Sequence, residues 1–135
     1  MLERTALIYD GTFDGLLSAV FDAYERRPMP QDIIEPDGQP RLDTHYETVV
    51  ADPAKTERVR RGIRRQMGQE AYEHIWKAFL SLHPDRSMRI YEYLQLGFRI
   101  KEHLVRSLTD DRVIAVNKLS ALVSRETSHL LQFVR

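Results

Sequence analysis

From Pro53 to the end of the chain, apolar residues return every three or four positions, interrupted only by Gly68, by Pro84 and by a Thr-Asp-Asp triplet at 109–111. That period buries one stripe of an α-helix, so most of the chain reads as about four helices. Any sheet must come from the first 52 residues. The four apolar lines run through Val59, Ile63 and Met67; through Ala71, Ile75, Ala78, Phe79 and Leu82; through Ile90, Tyr91, Leu94 and Phe98 and on to Ile100, Leu104 and Leu108; and through Val113, Val116, Leu119, Val123 and Leu130. Asp52-Pro53 supplies an N-cap and a first-turn proline for the first of them.

The opening residues carry a different period. Thr5 to Asp10, TALIYD, is β-branched and aromatic and stops at Asp-Gly, which predicts a short strand and a turn. Thr12 then caps a helix over Phe13 to Arg27, whose stripe is Leu16, Leu17, Val20, Phe21 and Tyr24 and which Pro28 and Pro30 end. Residues 28–44 hold four of the six prolines and form a surface excursion, with Asp32 to Glu35 as a brief extended piece. His45 to Asp52 alternates as a second strand able to pair with the first. The expectation is an α+β chain: a small two-stranded N-terminal sheet with one early helix, followed by a bundle of about four helices, as a single domain over residues 1–135. Its last residues, LLQFVR, are apolar, as expected if a terminal helix docks on the core or if the chain is the N-terminal part of a longer protein.

Composition narrows the chemistry. With no cysteine there is no disulfide and no thiol nucleophile. No basic segment precedes an apolar stretch at the N-terminus and no apolar run reaches membrane-spanning length, which makes the cytoplasm the default address and excludes a membrane partner. The net charge is zero, yet residues 1–54 carry 4 Lys and Arg against 11 Asp and Glu, while residues 55–135 carry 16 against 9. Such lopsidedness fits either a basic face for an anionic partner or two halves that neutralise each other.

The basic excess is densest in KTERVRRGIRR, where Lys55, Arg58, Arg60, Arg61, Arg64 and Arg65 share a helix with the single acid Glu57. Because Val59, Ile63 and Met67 take the buried line, Arg60, Arg61, Arg64 and Arg65 project from the flanks and outer face, where they can meet several phosphates. Lys118 and Arg125, with the terminal Arg135, are candidates to extend the patch. The alternative is a solvated face neutralised by the acidic first half.

Other constellations are incomplete. GTFDG has two glycines and no lysine, and Asp10 and Asp14 would repel phosphate, so the junction reads as turn and cap rather than a phosphate loop. The same two aspartates could bind a divalent cation, but two carboxylates without a third ligand make an incomplete site. Glu126 and His129 have the spacing of a carboxylate-bridged di-iron ligand pair, but no second copy exists, so no metal and no cofactor is expected. The histidines at 45, 74, 83, 103 and 129 are scattered, and no serine sits in a nucleophile elbow. No complete catalytic motif is present. Among the aromatics, Trp76, Phe79 and Tyr91 fall on core lines, which leaves Tyr93 as the exposed one able to stack on a base.

Four stretches together, YDGTFDGLLSAVFDAYERR at 9–27, AFLS at 78–81, YEYLQLGFRI at 91–100 and VNKLSALVSRE at 116–126, resemble a family of bacterial proteins assigned to DNA metabolism or DNA repair. Members of that family are encoded beside a radical-SAM protein, and some are fused to a uracil-DNA-glycosylase-like domain. The resemblance spans the chain but only the N-terminal part of longer family members, and it departs from the family pattern at Ser128, Leu131 and Gln132. It implies a DNA-related role beside a radical-SAM or glycosylase-like partner and assigns no reaction. The leading expectation is an accessory module that contacts nucleic acid through Arg60, Arg61, Arg64, Arg65, Lys118 and Arg125. A protein-interaction adaptor without nucleic-acid contact, and a metal-dependent nucleotide or DNA hydrolase built on Asp10 and Asp14, are the alternatives.

Overall fold

The computed structural model describes the backbone of residues 4–38 and 40–134 and the side chains of residues 4–38 and 40–126. The order is β1 (Arg4–Ile8), α1 (Phe13–Glu25), β2 (Asp32–Ile34), β3 (Thr44–Thr48), α2 (Pro53–Gln66), α3 (Gln69–Leu80), α4 (Arg86–Ile100), a 3-10 segment (Lys101–Arg106) and α5 (Asp111–Val134). The chain is α+β: a small sheet with an early helix, then helices to the end. It divides into two compact units, residues 1–62 and 63–135.

In the first unit β1 is central, paired in parallel with β2 on one side and β3 on the other. The sheet therefore has three strands rather than two. The brief extended piece in the proline-rich excursion joins it because Leu7 pairs with Ile33, and both side chains are fully buried. Parallel pairing requires a crossover, and α1 provides it. Phe13, Leu16, Leu17, Ala19, Val20 and Ala23 form the buried side of α1. The helix stops at Glu25 rather than Arg27, because Arg26 turns to an extended backbone and pairs with Glu47 while the Arg27 guanidinium donates to the Tyr24 and Arg26 carbonyls.

In the second unit α3, α4 and α5 pack against one another, and α4 is buried on most of its circumference: Ile90, Tyr91, Tyr93, Leu94, Leu96 and Gly97 are all enclosed. The third apolar line does not continue as one helix through Leu108. Lys101 takes φ +57° and the chain tightens into the 3-10 segment. The cause is packing at Gly97, where a β-carbon would stand 2.4 Å from Met67 Sδ and 2.9 Å from Leu104 Cδ2. Leu104 folds back onto that bare α-carbon and is fully buried, whereas in an uninterrupted helix it would stand about 10 Å from Gly97 along the axis.

Candidate nucleic-acid interface

The junction after β1 is closed around its own acid. Asp10 Oδ1 accepts from the Thr12 backbone N–H at 2.9 Å and from its hydroxyl at 2.6 Å, and the Thr12 hydroxyl in turn accepts from Gly15 N–H at 2.9 Å. A β-carbon on Gly15 would lie 2.0 Å from Asp10 Oδ1, so glycine is what lets the carboxylate sit over the first turn of α1. The hydrogen bonds from the Thr12 hydroxyl and then its amide hold Asp10 below the usual carboxylate range. Helix N-termini attract anions, and here a side chain already occupies the position. Asp14 is instead directed to Arg60, at 3.2 Å. Among the described residues no group of three or more His, Asp or Glu is placed to hold a metal ion.

Helix α2 begins in the first unit and ends in the second. The Asp52 carboxylate accepts from Ala54 N–H at 2.9 Å and Thr56 Oγ1 donates to the Asp14 carbonyl at 2.8 Å, which fixes how the helix presents its faces. Val59, Ile63 and Met67 are buried as expected. Arg58, Arg61 and Arg65, at i, i+3 and i+7, make one exposed line on the opposite side, with Arg64 exposed beside it.

The six cations singled out from sequence are in different situations. Arg60 is spent internally: its guanidinium bonds Glu57 at 2.6 Å and Asp14 at 3.2 Å, and its side chain is 24% exposed. The acidic first half does neutralise part of the basic helix, because Lys55 also pairs with Asp22, at 2.7 Å. Arg61 is 68% exposed and only loosely approached by Glu57, at 3.8 Å. Arg64 and Arg65 are exposed at the end of α2, where Arg64 places its guanidinium 4.4 Å from the centroid of the Tyr72 ring. Lys118 and Arg125 are exposed on α5, one above the other at i and i+7. Arg135 and the side chain of His129 lie outside the described residues, and Glu126 is exposed.

Two aromatic assignments are reversed. Tyr93, expected at the surface, is fully buried, and its hydroxyl has no hydrogen-bond partner among the described residues. Burial, reinforced by the charge of Glu70, pushes that hydroxyl far above its usual range. Trp76, expected in the core, is 42% exposed. The core line of α3 is Ala71, Ile75, Ala78 and Phe79. Trp76 follows Ile75 by about 100° of helical rotation, which carries it out of that line. It belongs to a second line, Tyr72, Trp76 and Leu80, at i, i+4 and i+8. The signal was present in the sequence as an apolar face too wide for one stripe.

Residues 84–135 match the model of a family described as a domain of unknown function, DUF4130. The DUF4130 match takes in α4, the 3-10 segment and α5, with YEYLQLGFRI, VNKLSALVSRE, Lys118 and Arg125, and leaves α2 and α3 outside it. No curated protein and no solved structure matches the chain. Among the described residues, no helix is long and apolar enough to cross a membrane.

Proposed function

We propose that the chain is a nucleic-acid-contacting module in DNA metabolism or repair, and that α2 is the element that meets the phosphates. The observation that carries this reading is the exposed line of Arg58, Arg61 and Arg65 with Arg64 alongside. The nearby carboxylates of Asp14, Asp22 and Glu57 are engaged mainly by Arg60 and Lys55, so they do not quench that line. Guanidinium groups one helical turn apart suit successive phosphates, and their planar donors bind phosphate oxygens two at a time. A radical-SAM or glycosylase-like partner belongs to this reading through the family resemblance alone.

Fluorescence anisotropy with labelled single-stranded and duplex DNA at two salt concentrations tests it. Binding at low salt is expected to weaken steeply as salt is raised, because bound counterions are released from the nucleic acid. An Arg61→Glu, Arg65→Glu double variant is expected to lose most of that binding. If the chain ignores both forms of DNA at low salt, or binds equally well without those two cations, the proposal fails.

A further inference from the structure

Resting on that reading, we infer that the outer line of α3 is a stacking platform, so that the ligand of this site is single-stranded nucleic acid, with Trp76 receiving a base. Three observations meet in the second unit. Trp76 and Tyr72 stand one turn apart on the same side of α3, and Leu80 continues the line at 45% exposure. At 42% exposure Trp76 leaves part of its large apolar ring in water, at a cost that an ordinary core position would remove.

The charge beside it is the right sign. Arg64 lies over Tyr72, so the cationic end of α2 borders the aromatic line directly, and Arg65 is exposed next to it. Single strands are held by this combination of a basic track for the backbone and aromatic faces for the unstacked bases. A duplex hides its base faces within its own stack, so it can use the arginines but not Trp76. The opposing group is Glu73, exposed on α3 between Gln69 and Lys77 and bonded to Gln69 at 3.5 Å. It makes one flank of the platform unfavourable to phosphate, so the strand is expected to run along the Arg64 side.

Trp76 is the only tryptophan in the chain, so its fluorescence reports on this position alone. Titration of the whole chain with oligo-dT and with a duplex of equal length is expected to quench the emission with the single strand and leave it nearly unchanged with the duplex. Trp76→Ala is expected to weaken single-strand binding by about tenfold, the usual worth of one stacked base, with duplex binding within about twofold. Trp76→Phe, which keeps an aromatic face, is expected to restore most of the loss, and circular dichroism of both variants checks that the helices persist. Unquenched emission on single-strand binding, or equal losses for both DNA forms in Trp76→Ala, overturns the platform while leaving the α2 contact standing. Absence of binding to either form at low salt removes both.

Discussion

The hydroxyls of Ser18 and Thr56 stand 2.9 Å apart, fully enclosed between α1 and the start of α2. They are the middle of a chain of hydrogen bonds: Ser18 Oγ also accepts from Asp52 N–H at 3.0 Å, and Thr56 Oγ1 donates to the Asp14 carbonyl at 2.8 Å. These contacts set the rotation of α2 in the first unit, and so which arginines face outward.

Breaking this link is costly because the two hydroxyls are buried away from water. Ser18→Ala leaves the Asp52 amide and the Thr56 hydroxyl short of a partner, and the expected loss is about 1–3 kcal/mol. Thermal or urea denaturation of the two proteins checks it. The double variant Ser18→Ala, Thr56→Val is expected to lose less than the sum of the two single changes, since residues in one network do not contribute independently.

Tyr93→Phe carries the opposite sign. Its hydroxyl is buried without a partner among the described residues, so removing the oxygen while keeping the ring takes away an unpaid desolvation cost. The variant is expected to match or exceed the parent in stability, by up to about 1 kcal/mol, in urea denaturation followed by circular dichroism. A loss of more than that would show that the hydroxyl does have a partner in solution.

The fold class was legible because period and punctuation agreed: Asp10-Gly11, Thr12, Asp52-Pro53, Gly68 and Pro84 mark real boundaries. What sequence did not disclose came from contacts between elements. Asp32 to Glu35 was readable as a brief extended piece, but its place in the sheet comes only from pairing with β1. Lys101 breaks a continuous apolar line because Leu104 packs on Gly97, a contact seven residues apart with no local signature. At the candidate interface, the clustering of arginines on α2 was readable. That Arg60 is spent on Asp14 was not, since 46 residues separate the two. Trp76 and Tyr93 exchanged roles for a similar reason: which side of an apolar helix faces solvent depends on how its neighbours enclose it, and α4 is buried on most of its circumference whereas the buried line of α3 is Ala71, Ile75, Ala78 and Phe79.

Asp110 gives the chain an acid-sensitive cap. Its carboxylate accepts from Arg112 N–H at 2.8 Å and from the Arg112 guanidinium at 2.9 and 3.1 Å, at the start of α5. The Arg112 side chain, then its amide, hold Asp110 down to about 2. A carboxyl depressed in the folded state stabilises it fully above the unfolded value and progressively less as pH falls toward the folded one. Stability from this cap is therefore expected to hold at neutral pH and to decline from about pH 4 toward pH 2. Asp110→Asn removes the charge but keeps a capping oxygen, so its unfolding midpoint is expected to depend less on pH over that interval.

Arg60 and Arg65 make the sharpest contrast for the nucleic-acid reading, because they differ in engagement rather than in residue type. Arg60 is tied to Asp14 and Glu57, whereas Arg65 is exposed at the end of α2. A cation already satisfied by two carboxylates releases few counterions from a nucleic acid, so Arg60→Gln is expected to leave the salt dependence of DNA binding almost unchanged. Its cost falls on stability instead, through the carboxylates it abandons, and at these partly exposed sites amounts to about 1 kcal/mol or less. Arg65→Gln is expected to do the reverse, lowering the slope of log K against log salt by about one phosphate contact while leaving the unfolding midpoint where it was. Anisotropy titrations across a salt series, run beside thermal denaturation of the same two variants, separate the outcomes. Equal slope changes at the two positions would place the phosphates on the flank of α2 rather than on its outer line.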